Sequence, residues 1–264
     1  YLKSDVDLNI PVSKVKQEKT FAVIIANENY QEEVNVEFAL NDGMAFREYC
    51  IKLLGIPVSN LHIRKDATLN NMLAEINWMQ DIAKAYGAEA RFIFYYAGHG
   101  MPDESNGTSY LLPVDGKSNI LATGYSMSRL YAELNGLNAA CVTVLMDACF
   151  SGSKRGEGML ASARGVALKA KAEAPKGNML VMTAAQGSET AYPYKEKKHG
   201  LFTYFLLKKL QESKGKVTYG DLFDYVKTNV AQKSVVVNEK SQTPTIAVSG
   251  DLVSTWQGIR LNED

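Results

Sequence analysis

Neither sign of charge is in surplus in this sequence: Lys+Arg and Asp+Glu number 29 each, for a formal net charge of zero. An even balance leaves no electrostatic footprint for nucleic acid or an anionic membrane, so neither is expected as a partner. Cysteine is scarce too. Cys50, Cys141 and Cys149 are odd in number and have no CxxC spacing, which argues against a disulfide framework or a zinc site and leaves at least one thiol unpaired. No apolar run approaches the roughly eighteen residues that span a bilayer. No GxGxxG or Walker loop follows the first strand-like segment, which weakens a nucleotide-binding reading. The chain starts at Tyr1 without an initiator Met or a signal-like segment, and is expected to be a piece of something longer.

What is present is ordinary globular composition, 46% apolar and 22% charged, enough to bury a core. Residues 1–19 are polar around Pro11 and read as a linker or extension, with one domain over 20–264. Phe21 to Ala26 is a continuous apolar run between polar residues, as in a strand covered on both faces. Arg91 to Tyr96, Cys141 to Met146 and Asn178 to Thr183 repeat that pattern, and Asn60 to Arg64 is a shorter extended segment. Helical periodicity falls over Val36 to Leu54, over a segment capped by Thr68 and ended by Gly87, and over Ser126 to Leu137, Leu201 to Glu212 and Tyr219 to Ala231. A short element at Pro244 to Val248 completes about six strands. Strands alternating with amphipathic helices predict an α/β fold, a mostly parallel sheet with helices on both faces. Residues 151–177, rich in Gly, Ala, Ser and basic residues, read as an exposed mobile loop.

Chemistry concentrates where two strands end in glycine-containing turns, Ala97-Gly98-His99-Gly100 and Asp147-Ala148-Cys149-Phe150-Ser151-Gly152. Carboxyl ends of parallel strands form the ligand-binding edge, so His99 and Cys149 are expected to meet there. An imidazole can activate a thiol and then protonate a leaving amine. Gly100 and the residues around Cys149 would leave backbone N–H groups uncovered, making an oxyanion hole. The fifty-residue interval from His99 to Cys149 is close to that of caspases. Cys50 and Cys141 lie in apolar patterns and read as packing residues. His62 and His199 lack a comparable setting and read as surface or packing residues.

Tyr95-Tyr96-Ala97-Gly98-His99-Gly100 and Asp147-Ala148-Cys149-Phe150-Ser151-Gly152 resemble the two signature motifs of caspase-like peptidases, metacaspases and paracaspases above all. Further matches run through Leu40-Asn41-Asp42, Leu112-Pro113-Val114-Asp115, Gln186-Gly187-Ser188-Glu189 and His199-Gly200-Leu201-Phe202-Thr203, so the likeness covers residues 20–250. It implies a caspase-haemoglobinase fold, a His99–Cys149 dyad and peptide or protein substrates. It also implies that Asp42 and Asp147 line the pocket for the residue before the scissile bond, favouring Arg or Lys through charge-assisted hydrogen bonds. A third acid of paracaspase pockets aligns with Tyr192. No cofactor is expected: Asp103 and Glu104 are too few for the calcium site that metacaspases often carry. Lys154, Arg155, Arg164, Lys169, Lys171 and Lys176 sit in the loop where caspases are cut into subunits, so self-cleavage there is expected. The competing reading is a scaffold that keeps the fold and binds a partner without turnover.

Overall fold

All seven residues of the first strand, β1 (Thr20–Ala26), are buried. Because side chains alternate across a strand, β1 feeds two separate cores: Ala22 and Ile24 join one, Phe21, Val23 and Ile25 the other. The computed structural model describes residues 3–103, 105, 107–148, 150, 175–187 and 189–262. Along them follow α1 (Ala39–Lys52), β2 (Leu61–Lys65), α2 (Leu69–Tyr86) and β3 (Arg91–Ala97). A small antiparallel sheet of β4 (Gly100–Pro102), β5 (Ser109–Leu111) and β6 (Tyr125–Ser126) precedes α3 (Met127–Asn135). Next come β7 (Cys141–Asp147), β8 (Met179–Thr183), the antiparallel pair β9 (Pro193–Tyr194) and β10 (His199–Gly200), α4 (Leu201–Ser213), α5 (Tyr219–Asn238) and β11 (Thr245–Val248).

Six strands form the central sheet in the order β11-β8-β7-β3-β1-β2. β1, β2, β3, β7 and β8 run parallel, and β11 is antiparallel to β8. This is the mixed, mostly parallel sheet expected from the alternating apolar runs. Phe46 of α1, Leu206 of α4 and Val226 of α5 cover one face; Met72 and Met79 of α2 and Leu130 and Leu134 of α3 cover the other. Thr68 caps α2 by accepting the Asn71 N–H at 3.2 Å, and Gly87 ends it with φ +57°. The helix expected to end at Ala231 continues to Asn238, carrying exposed Val235 and Val236.

The segment ahead of β1, expected to be a linker, is tied to the body. Val6 is fully buried, and the Tyr49 hydroxyl donates to its carbonyl at 2.7 Å. Gln211 of α4 donates to the carbonyls of Asp5 and Leu8. A single valine and a row of backbone acceptors leave little trace in a hydropathy pattern.

Candidate active site

The sheet reverses its strand order between β1 and β3, the arrangement that opens a crevice beyond the carboxyl ends. Asn27, the residue after β1, ties that edge together. Its N–H donates to the Ala97 carbonyl at 2.8 Å, its side-chain oxygen accepts the Ala67 N–H at 2.8 Å, and its amide donates to the Leu112 carbonyl at 3.2 Å. Asp66 holds the following turn by accepting the N–H groups of Glu28 and Asn29, each at 2.9 Å.

That turn delivers Tyr30 to His99. The His99 N–H donates to the Tyr30 hydroxyl at 2.8 Å, and the two rings lie 4.7 Å apart, centre to centre. The Tyr96 hydroxyl donates within the same knot, which brings the carbonyls of His99 and Leu112 to 2.7 and 3.0 Å from it. Gly98 is required here, since a Cβ would lie 2.7 Å from both tyrosine hydroxyls. His99 Nε2 lies 2.8 Å from the Val34 carbonyl oxygen. A carbonyl can only accept, so Nε2 carries the proton and Nδ1 is the basic nitrogen. Val34 acts through its backbone, which is why no side-chain pattern could single it out.

β3 and β7 are paired with Ala97 beside Asp147. Their register offset is fifty, the same as the interval between His99 and Cys149. His99 therefore lies two residues beyond one strand end, and Cys149 two residues beyond its neighbour in sequence. Cys149 itself is outside the described residues, with Ala148 buried before it and Phe150 packed against the α2/α3 core after it. Gly100 opens β4 directly after His99 and is half-buried. An apolar cleft of about 390 Å³ adjoins this edge, lined by Tyr131, Met146, Phe150, Thr183 and Gln186 among others. Cys50 and Cys141 are buried, and burial pushes the Cys50 thiol up, so neither is placed as a nucleophile.

Asp42 and Asp147 are fully buried, and both act on the amino end of α4. Asp147 Oδ2 accepts the Thr203 N–H at 3.1 Å and its hydroxyl at 2.7 Å. The Tyr95 hydroxyl, 2.7 Å from Thr203 Oγ1, extends that chain by donating. Both carboxylate oxygens of Asp42 lie 3.0 Å from the Gly200 nitrogen. Such N–H groups have no partner within the helix, and the helix dipole favours negative charge beside them. Tyr192 is half-buried, and its carbonyl accepts the Leu201 N–H at 2.9 Å.

His199, expected to be a surface or packing residue, is fully buried between two carboxylates. Nδ1 lies 2.9 Å from Asp42 and Nε2 3.0 Å from Asp7. Burial pulls its pKa down, but the hydrogen bonds and charges of Asp42 and Asp7 outweigh that and raise it to about 9. The imidazole is thus a cation at neutral pH. Sequence reasoning missed this because its three members are separated by 35 and 157 residues. His62, by contrast, is partly exposed, bonded to Glu75 and stacked on Trp78.

Among the described residues no three His, Cys, Asp or Glu side chains are grouped to hold a metal ion. Asp103 is spent on a turn, accepting the Ser105 N–H at 2.9 Å and hydroxyl at 2.6 Å; Glu104 is outside the described residues. So are Lys154, Arg155, Arg164, Lys169 and Lys171 of the basic loop. Lys176 is described and exposed, with its N–H donated to Asn135 at 3.2 Å. No helix among the described residues is long and apolar enough to cross a membrane.

The fold has clear relatives among solved structures. A solved protein from Geobacter sulfurreducens superposes with a TM-score of 0.64 at 17% identity, covering 88% of this chain and 93% of its own. Caspase-1 from Spodoptera frugiperda superposes with a TM-score of 0.62 at 14% identity, covering 95% of each chain. No curated protein matches the sequence. The family model described as caspase domain matches residues 19–251, nearly the whole length, and the chain therefore belongs to the caspase-domain family of cysteine peptidases.

Proposed function

We propose that the protein is an endopeptidase that cuts after Arg or Lys, with Cys149 as nucleophile and His99 as acid and base. The carrying observation is the position of His99, held at the β3 end beside β7 with Nε2 given to the Val34 carbonyl. In that tautomer Nδ1 takes the Cys149 proton as the thiolate attacks the scissile carbonyl, and returns it to the leaving amine. N–H groups of Gly100 and Cys149 stabilise the oxyanion. Water then attacks the acyl-enzyme, His99 again serving as base, and the thiol is released.

Specificity for a basic residue is supported by Asp42 and Asp147, two buried carboxylates gathered at the start of α4. A pair of carboxylates offers charge-assisted hydrogen bonds to a guanidinium or ammonium, so a basic side chain is the substrate group that suits them, alongside the His199 imidazolium that Asp42 already meets. Metacaspases and paracaspases are the branches this pattern fits. Basic residues between Lys154 and Lys176 follow directly on the nucleophile's motif, and self-cleavage there is part of the proposal.

A peptide electrophile with Arg at its reactive end tests the chemistry. It should label Cys149 alone, and His99→Ala should abolish labelling. Mass spectrometry of active protein should find cuts between 154 and 176 that are absent from Cys149→Ala. Labelling of Cys50 or Cys141 instead would overturn the nucleophile assignment, and an uncut loop in active protein would remove self-cleavage from the proposal.

A further inference from the structure

The Asp7–His199–Asp42 cluster is not needed by the acyl-transfer steps, yet it is among the most deeply buried charged groups described. Carboxylates accept, so both imidazole N–H groups are donated, one to each acid. Were the ring neutral, one nitrogen would turn a lone pair toward a carboxylate. The cluster accordingly holds two negative charges and one positive. Taken alone, His199 would cancel the charge of Asp42, and a cation bound near Asp42 would gain little. Asp7 restores the deficit and leaves the triad of Asp7, His199 and Asp42 with one net negative charge, while Asp5 nearby is met by the Lys197 and Lys208 ammonium groups.

Asp7 belongs to the segment ahead of β1, and its place is fixed locally. It accepts the Ser4 N–H at 2.6 Å, next to fully buried Val6. Neighbouring Asp5 receives the Tyr204 hydroxyl and the Lys208 and Lys197 ammonium groups, each at 3.1 Å. The groups that face His199 are thus Asp7 from this segment and Asp42 from α1; Tyr204 and Lys208 of α4 and Lys197 from the turn before β10 face Asp5 instead, and Tyr49 of α1 faces the Val6 carbonyl.

We infer that Asp7 and His199 are positioning residues for Asp42, so that the segment ahead of β1 sets the orientation and net charge of the pocket for basic substrates. This rests on the reading of Asp42 as a pocket residue. The mechanism is direct: His199 and the Gly200 N–H fix the Asp42 carboxylate from two sides, and Asp7 keeps His199 protonated while offsetting its charge.

The test compares Asp7→Asn, Asp7→Glu and Asp5→Asn in the full chain. Asp7→Asn should raise KM for an Arg peptide about tenfold, the worth of one charge-assisted buried contact, with kcat little changed. Asp7→Glu should recover part of the loss. Asp5→Asn loosens the same segment without touching His199, and should leave KM near wild type. Nitrogen NMR of the imidazoles in a Cys149→Ala background gives a readout independent of turnover. There Asp7→Asn should lower the His199 titration midpoint by about one pH unit or more. An unchanged KM, or equal KM losses in Asp7→Asn and Asp5→Asn, overturns the inference while basic specificity stands. A wild type that prefers another residue overturns the specificity reading itself, and the NMR separates that result by still reporting whether Asp7 and His199 are coupled. If Asp7→Asn does not fold, a His199 that titrates near 6.5 in the otherwise unaltered Cys149→Ala protein overturns it equally.

Discussion

His99 gives one ring nitrogen to a backbone carbonyl, whereas His199 gives both to carboxylates. The partners decide what each ring can do. A carbonyl fixes the tautomer and orientation but adds no full charge, so the other nitrogen can exchange a proton during a reaction. Two carboxylates hold an imidazolium that gives up its proton only well above neutrality, and such a ring serves as a fixed counter-charge. The same side chain is the proposed reagent in one place and a buried ion in the other.

Removing each ring should separate the two roles. His99→Ala should lower kcat/KM by about a thousandfold or more, because base and nucleophile work as one unit. Circular dichroism of that variant should still show the wild-type fold. His199→Ala should leave kcat largely standing and act on stability, as well as on KM for basic peptides, since it leaves Asp7 and Asp42 buried without their cation, a loss of roughly 3–5 kcal/mol in stability. Urea denaturation would measure it. The pH dependence follows in sign. Folding raises the His199 pKa from 6.5 to about 9, so its stabilisation is complete below pH 6.5 and is lost as pH rises through 9. A His199→Gln protein should lack that alkaline loss. A smaller effect is expected from Tyr30→Phe, which deprives the buried His99 N–H of its acceptor at a cost of about 1–3 kcal/mol. Its turnover should fall, but less than that of His99→Ala.

The contrast also explains what could be read from the sequence. β1, β3, β7 and β8 were legible because strands buried on both faces are written as unbroken apolar runs. His99 stood out because a second glycine-containing motif follows the adjacent strand, and the parallel register sets the ends of β3 and β7 side by side. His199 had no such signal. Its acids come from a segment ahead of the sheet and from α1, and only the docking of α4 brings them together. Asp42 and Asp147 were singled out by resemblance, but their bonds to Gly200 and Thr203 were not foreseen, because capping of α4 by distant residues leaves no local pattern. The longer course of α5 was hidden for a different reason: Val235 to Val237 are β-branched and disfavour helix by intrinsic propensity.

The most direct test of the account is hydrolysis of fluorogenic peptides that differ only in the residue before the scissile bond, with Cys149→Ala as control. Cleavage of the Arg and Lys peptides, none of the Asp peptide, and no activity in the control is the result expected from His99, Cys149 and the buried acids at the start of α4. Preference for Asp, or turnover that survives in Cys149→Ala, would contradict it.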